Sequence, residues 1–305
     1  MKILVTGGAG FIGSHVVDLL IENNHEVTII DDLSTGLAEH INPKADFFEK
    51  SITDPEIINI FKNKHIEILI HHAAQVDVRK SILEPALDAE INIIGSINLF
   101  DCCRKTGVKK IILASSCGVY GNPKYLPCDE EHPINPLSNY AISKYAIELF
   151  LRQMAQLNKI DHTILRYANV YGPRQSIKGE AGVVSIFIKK MLNIQACKIF
   201  GDGDQTRDLV YVKDVAHANL LAISSNVKLA NIGTQHSISI MKLHNKLQKI
   251  SETDMNPIFE PSIEGEIKDS VLTKIIAKEQ LNWEPTIKIE EGLKKTFDWF
   301  KNKAK

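Results

Sequence analysis

Lys2-Ile3-Leu4-Val5-Thr6-Gly7-Gly8-Ala9-Gly10-Phe11-Ile12-Gly13 opens the chain, and its reading decides the fold. Ile3 to Val5 is a short apolar run of the kind used by a parallel strand buried on both faces. It runs into spaced glycines and then into a stretch to Leu20 with helical periodicity. Strand, glycine turn and helix, in that order, point to a dinucleotide-binding turn. Gly7 permits the tight turn, Gly10 lets the backbone approach a pyrophosphate, and Gly13 lets the helix pack close to the strand. The helix N-terminus at Phe11 and Ile12 then turns free N–H groups toward the phosphates. A second strand, Glu26 to Ile30, ends in Asp31, about 20 residues on, where such folds carry an acid. A carboxylate there accepts both hydroxyls of an adenosine ribose and repels a 2′-phosphate. The following Asp32-Leu33-Ser34-Thr35-Gly36 brings no Arg or Lys, so NAD is expected rather than NADP.

The rest of the chain fits that start. Its 305 residues suffice for one large α/β domain, or for a large domain with a smaller lobe. With 36 basic and 37 acidic residues and no long run of either sign, neither nucleic acid nor a membrane surface is an expected partner. The chain starts directly in a core strand, which leaves no room for a signal peptide, and no apolar run reaches membrane-spanning length. Cys102, Cys103, Cys117, Cys128 and Cys197 have no metal-ligand spacing, and their odd number argues against a disulfide framework. The expectation is a soluble cytoplasmic protein with reduced thiols and no bound metal.

Beyond Asp31, apolar strands alternate with amphipathic helices. Phe47-Phe48 closes a third strand, and Asp54-Pro55-Glu56 is a helix start. Glu67 to His71 is a fourth strand that leads into His72-Ala73-Ala74-Gln75, with both histidines read as strand-end packing and hydrogen-bonding residues. One long helix is expected from about Pro85 to Thr106, stopped by Gly107. Lys110 to Ala114 is a fifth strand, a helix runs from Ser138 to about Leu157, and Thr163 to Tyr167 is a sixth strand. This rhythm predicts a Rossmann-type doubly wound parallel sheet in residues 1–172. Beyond Gly172-Pro173 the segments shorten, which predicts a smaller C-terminal α/β lobe over 173–305 that partly returns to the first. Its last helix, about Ile289 to Lys303, spaces Leu293, Phe297 and Phe300 for packing.

Tyr140 and Lys144 are four apart on a predicted helix, so both project from one face. A tyrosine loses its proton near pH 10. An ammonium one turn away, together with a cationic nicotinamide, favours the phenolate and brings it toward a working base. Ser116 closes the fifth strand on the edge where the cofactor is expected, and its hydroxyl can donate to or accept from a reacting oxygen.

These motifs, with Ser115-Ser116…Val119-Tyr120-Gly121, Arg166-Tyr167-Ala168-Asn169-Val170-Tyr171-Gly172-Pro173-Arg174, Gly179-Glu180-Ala181-Gly182-Val183-Val184 and Gly201-Asp202-Gly203…Gln205-Thr206-Arg207-Asp208, give the chain its resemblance. It resembles the extended short-chain dehydrogenase/reductase superfamily over essentially its whole length. Within that superfamily it is similar to nucleotide-sugar enzymes of the UDP-glucose 4-epimerase kind. The resemblance implies that Tyr140 is the base, Ser116 its hydroxyl partner, and Lys144 the group that holds the nicotinamide ribose. For NAD it implies the turn residues Gly7, Gly10, Phe11, Ile12 and Gly13, then Asp31, Asp32, Ser34 and Gly36, then Ser51 and Ile52. Further along it adds Ala73, Ala74 and Gln75, and then Asn92, Ser115, Tyr167 and Val170 with Tyr140 and Lys144. On the sugar side it implies Ser116, Tyr140, Asn169, Val183, Phe200, Arg207 at a phosphate, and Ser270 closing over the hexose.

The sequence departs from the family pattern in places. Ser51 stands where relatives usually have Asp, Asp32 where Asn is common, and Ile263 where many have an Arg for the diphosphate. Cys117-Gly118 occupies the place where 4,6-dehydratases carry an acid, which disfavours dehydration. The expected activity is NAD-dependent 4-epimerisation of a UDP-hexose through a 4-keto sugar. Another nucleotide-sugar dehydratase or reductase, or a non-catalytic nucleotide sensor on the same fold, is the alternative. The resemblance also implies a homodimer through the helices from about Pro85 and Ser138, which carry Ile94, Leu99, Ile142, Leu149 and Phe150.

Overall fold

The structure, a computed structural model, describes residues 1–176, 182–262 and 267–303. Gly179-Glu180-Ala181 and the stretch Ile263 to Glu266, both used in the reading above, lie outside the described residues.

The first half runs β1 (Lys2–Thr6), α1 (Phe11–Glu22), β2 (Glu26–Asp31), β3 (Asp46–Glu49), α2 (Ile57–Lys64), β4 (Ile68–His71), α3 (Val78–Leu83), α4 (Pro85–Ala89), α5 (Ser96–Thr106), β5 (Lys110–Ser116), α6 (Asn139–Asn158) and β6 (Asp161–Tyr167). The second half runs β7 (Asn169–Tyr171), α7 (Val183–Leu192), β8 (Lys198–Phe200), β9 (Thr206–Tyr211), α8 (Val212–Ala222), β10 (Leu229–Ile232), β11 (Ser237–Ser239), α9 (Ile240–Ser251), β12 (Ile258–Glu260), β13 (Asp269–Ser270), α10 (Ile275–Leu281) and α11 (Ile289–Lys303).

Among the described residues the main sheet has seven parallel strands in the order β10-β6-β5-β4-β1-β2-β3. This is the Rossmann-type doubly wound sheet expected, with β10 as a strand that the second half returns to it. The apolar strands alternate between two cores. Ile3, Val5, Ile29, Ile70 and Ile112 face one layer of helices, while Leu4, Ile30, Leu69, Ile111 and Leu113 face the other. A third core, with Phe187, Ile199, Leu209 and Leu243, lies in the second half, and Leu293 and Phe297 of α11 pack into it. Strand order reverses at β1, between β2 and β4. In open α/β sheets the crevice at such a point, outside the strands' carboxyl ends, is where ligands bind.

The helix ends follow local chemistry. Ser138 caps α6 by accepting a hydrogen bond from Ala141 N at 3.2 Å, and Gly107 ends α5 with φ of 76°. Two elements differ from the sequence reading. The stretch from Pro85 to Thr106 is interrupted by a π-helical turn over Glu90–Gly95. There Asn92 is drawn inward by Gln75, Asp88 and Ser143, and Ser96 Oγ caps the Asn92 carbonyl. Inserted residues of this kind often mark functional sites. The second helix begins at Ile57, because Asp54 turns its side chain and carbonyl onto Glu56 N and Ile57 N and closes a separate turn.

Candidate active site

At the β1–α1 turn, backbone approaches backbone too closely for side chains. A Cβ on Gly13 would sit 2.1 Å from the Gly7 carbonyl oxygen, and one on Gly7 (φ +70°) would sit 2.7 Å from Ala73 N. The turn is therefore wedged against the strand end that follows β4. No side chain caps α1, whose N-cap is Gly10, so its first-turn N–H groups at Phe11 and Ile12 are available to an anion. Asp31 at the end of β2 accepts hydrogen bonds from Ala9 N (3.0 Å) and Leu33 N (2.9 Å). Burial raises its carboxyl pKa against the pull of those amides. Gly36 passes over this carboxylate with room for no side chain, since a Cβ there would lie 2.8 Å from Asp31 Oδ1. A paired phosphate cradle and ribose acceptor fit a dinucleotide.

The other residues expected at the cofactor are placed less uniformly. Asp32 is exposed and holds Ser34 by its amide and hydroxyl. Ser51 bonds to Thr53. Ile52 is turned into the core against Gly95, which leaves its backbone to serve a ligand. The Asn92 side chain is spent on Gln75, and the Ser115 hydroxyl on Glu148 at 2.6 Å. Tyr167 is buried, with its hydroxyl bonded to Asn219 and His72. Ala73 and Ala74, beyond the end of β4, and Val170, in the middle of β7, are partly buried.

The reactive face is built by α6. Ser81 anchors the start of this helix, taking Asn139 Nδ2 on its carbonyl and Tyr140 N on its hydroxyl. Lys144 follows one turn after Tyr140 and is only 4% exposed. Burial lowers its ammonium pKa to about 8, against the opposing pull of the Glu148 and Asp88 carboxylates. Ser116 stands beside this helix: its Oγ accepts from Gly118 N at 3.1 Å. A Cβ on Gly118 would lie 3.3 Å from that Oγ and 3.6 Å from Ala141 Cβ. Cys117 comes next, its thiol pushed up to about 11 by burial, which keeps it a neutral wall and not a nucleophile. Ser270 Oγ meets Cys117 Sγ at 4.0 Å, so the second half closes onto the same corner.

On that side Asn169, Arg207 and Ser270 lie in one small sheet, where β9 pairs with both β7 and β13 and Ser270 is the register partner of Arg207. Arg207 Nη1 donates to the carbonyls of Thr206 and Lys268. Asp208 is occupied by Thr234, Gln235 and Leu272. Val183 opens α7 and Phe200 closes β8, both partly buried.

Sequence reasoning passed over Glu148 and Asp88. Glu148 sits four residues after Lys144 and eight after Tyr140, a spacing that was readable as one helix face. Asp88, at the end of α4, is tied to the site by Asn92 of the π-helical turn, for which the sequence carries no period signal.

A tyrosine, a buried ammonium and a serine hydroxyl, near a turn that fits a dinucleotide, are the groups with which Rossmann-fold dehydrogenases of the short-chain type move a proton and a hydride together. The chain belongs to the NAD dependent epimerase/dehydratase family, whose model matches residues 3–233. It is 39% identical to a UDP-glucose 4-epimerase of Mycolicibacterium smegmatis, with 100% of each chain covered. The solved UDP-glucose 4-epimerase of Thermotoga maritima with UDP-glucose is 46% identical, with TM-score 0.98 and 100% of both chains covered. The UDP-N-acetylglucosamine 4-epimerase of Methanobrevibacter ruminantium, solved with UDP-N-acetylmuramic acid, is 35% identical, with TM-score 0.94 and 99% and 98% covered.

A buried ammonium is costly, so Lys144→Met is expected to stabilise the ligand-free protein. From a pKa lowered to about 8, the gain is about 2–3 kcal/mol at neutral pH. Between about pH 8 and the unfolded value near 10.4, the unfolded chain holds a proton that the folded one has released, so wild-type stability rises through that window. The variant's advantage should be full below pH 8 and shrink toward pH 10. Denaturant unfolding at pH 7 and pH 10 checks this, and equal stabilities at pH 7 would refute it.

Proposed function

We propose that this chain is an NAD-dependent 4-epimerase of a UDP-hexose. The observation that carries the reading is Tyr140 and Lys144 on one face of α6 beside Ser116, in a chain similar over its full length to enzymes named for that reaction. Gly7, Gly10, Gly13, the start of α1 and Asp31 would hold NAD, with Lys144 at the nicotinamide ribose. Bound NAD would supply the acceptor for the C4 hydride and return it to the other face of the 4-keto sugar. Tyr140 takes the proton of the sugar 4-hydroxyl and gives it back, Lys144 stabilises the phenolate, and Ser116 steadies the reacting oxygen.

In this reading residues 1–172 hold the cofactor and 173–305 hold most of the nucleotide sugar. Arg207 serves the diphosphate, with Asn169, Val183 and Phe200 beside it. No helix among the described residues is long and apolar enough to cross a membrane. Five free thiols suit a reducing, cytoplasmic setting.

Purified protein given UDP-galactose, without added reductant, should form UDP-glucose. Tyr140→Phe should keep NAD binding and lose about 10²–10⁴-fold in turnover, the share of a general base. Turnover by Tyr140→Phe near that of the wild type would remove it as the base.

Ser270 is a small, partly buried residue against Cys117, and a tyrosine there would take up volume that an N-acetyl group needs. The enzyme should therefore act on UDP-N-acetylglucosamine as well, as the Methanobrevibacter relative's name suggests. Overpacking there costs about 1–3 kcal/mol. Ser270→Tyr should cut kcat/KM for the N-acetyl sugar by about 10-fold or more and leave UDP-glucose within about threefold. Equal losses on both would place Ser270 outside the hexose pocket.

Ile142, Leu149 and Phe150 are about half exposed on α6, and Ile94 on the π-helical turn. Leu99, counted with them from the sequence, is fully buried against the sheet and belongs to the core. We propose that the exposed four meet their copies across a two-fold axis. Light scattering at micromolar concentration should give a dimer mass that Phe150→Glu reduces to a monomer. A monomeric wild type would end the proposal.

A further inference from the structure

Eight residues after Tyr140 and four after Lys144, the same face of α6 carries a carboxylate that is completely buried, Glu148. It is fully engaged. Ser115 Oγ donates to Oε1 at 2.6 Å, and Arg166 grips both oxygens, Nε to Oε1 at 2.9 Å and Nη2 to Oε2 at 2.6 Å. Arg152 approaches Oε2 from the outside at 3.5 Å. The guanidinium, 2% exposed, then donates through Nη1 to the Tyr120 hydroxyl at 3.0 Å, which donates to Asn231 Oδ1 at 2.7 Å. Ser115 precedes Ser116 on β5, and Tyr120 ends the short helical turn that Ser116 caps. One ion pair thus gathers α6, both flanks of Ser116, β6 and β10.

Stability does not explain such a pair. Desolvating two ions costs about as much as their attraction returns, and an apolar replacement of similar volume is often neutral or stabilising. From this juxtaposition we infer that Glu148, with Arg166 as its counter-ion, is a positioning residue. It fastens the helix face carrying Tyr140 and Lys144 to the strand end carrying Ser116. The inference rests on the roles proposed above for those three residues. A fixed carboxylate one turn below Lys144 also favours its charged form. The other groups near that ammonium are Tyr140 on α6, Asp88 on α4, His71 at the end of β4 and His72 just after it. Both imidazoles are neutral at working pH, because burial holds His72 at about 3 and His71 well below its ordinary value.

The test is an apolar triple variant, Ser115→Ala with Glu148→Leu and Arg166→Met, which removes the charges without stranding either partner. A purely structural role predicts recovery of both melting temperature and turnover. Positioning predicts a melting temperature at or above the wild type, with kcat lower by about 10²-fold, the scale of a 1 Å misplacement, and KM within about threefold. Loss of the carboxylate lowers the Lys144 pKa, so the alkaline limb of the kcat–pH profile should move to lower pH. A stable triple variant with kcat within threefold of the wild type overturns the inference. Ser115→Ala alone serves if the triple variant does not fold: a kcat loss at unchanged melting temperature supports positioning, and unchanged kcat overturns it. The Lys144 titration, followed by NMR of ¹³C-lysine-labelled protein, needs no turnover. A lower midpoint in the triple variant supports the inference and an unchanged one overturns it, even if the wild type epimerises no UDP-hexose and the proposed function falls.

Discussion

The 2.1 Å that a Cβ on Gly13 would leave to the Gly7 carbonyl is the constraint on which the rest of the molecule depends. It brings the first helix hard against the first strand, and the φ of Gly7 turns the chain sharply enough for that helix to start beside the end of β4. Because β1 lies where strand order reverses, the helix N-terminus opens on the crevice between β1 and β4. Asp31 then tightens the arrangement from the other side, holding the turn at Ala9 and its own loop at Leu33. The uncapped end of α1 and the Asp31 carboxylate, the groups proposed for the phosphates and the ribose, come together at one crevice. Backbone packing and one carboxylate, Asp31, build this half of the site.

The reactive half is built on opposite terms. The face of α6 proposed to act is polar: Tyr140, Lys144, Glu148. A polar face pressed against a sheet must be satisfied or it destabilises the fold. Glu148 is satisfied by Ser115 and Arg166. Lys144 makes no hydrogen bond among the described residues, and its lowered pKa records that cost. Such a group stands ready for hydroxyls supplied by a ligand, and binding would return some of the energy its burial costs.

How much of this was legible follows from the periods involved. The glycine turn, Asp31 and the alternating strands are local signals, and the parallel sheet followed from them. Tyr140 and Lys144 shared a helix face by simple spacing, and Ser116 fell at a strand end. The π-helical turn at Glu90–Gly95 was not legible, because one widened turn leaves apolar periodicity almost unchanged while it rotates Asp88 and Asn92 into the site. Leu99 was misjudged for a related reason: an apolar residue on a helix between sheet and solvent looks the same whichever side it faces. Resemblance puts Ser115 and Ile52 at the cofactor; the Ser115 hydroxyl goes to Glu148 and the Ile52 side chain to the core, so any part they play there falls to their backbone. Glu148 itself was legible and overlooked, since charged residues on helices are usually solvated.

The two halves of the site differ in what can disturb them. The cofactor cradle is fixed by steric exclusion at Gly7, Gly13 and Gly36, so it tolerates a change of charge elsewhere and responds mainly to added volume. The reactive face is fixed by charge and hydrogen bonding, so it tolerates small changes of volume and responds to the loss of a proton or a partner. Away from Lys144, which is proposed to serve both the nicotinamide ribose and the phenolate, cofactor affinity and turnover should therefore vary independently. The fold keeps the two apart by placing them on α1 and α6, which flank different strands of one rigid sheet. The small sheet that carries Arg207 and Ser270 meets the corner beside Ser116 through Cys117. The second half also meets α1, through Pro173 on His15 and Arg174 on Asp18, so changes that alter the proposed sugar site should spare the proposed dinucleotide turn only where they leave those contacts intact.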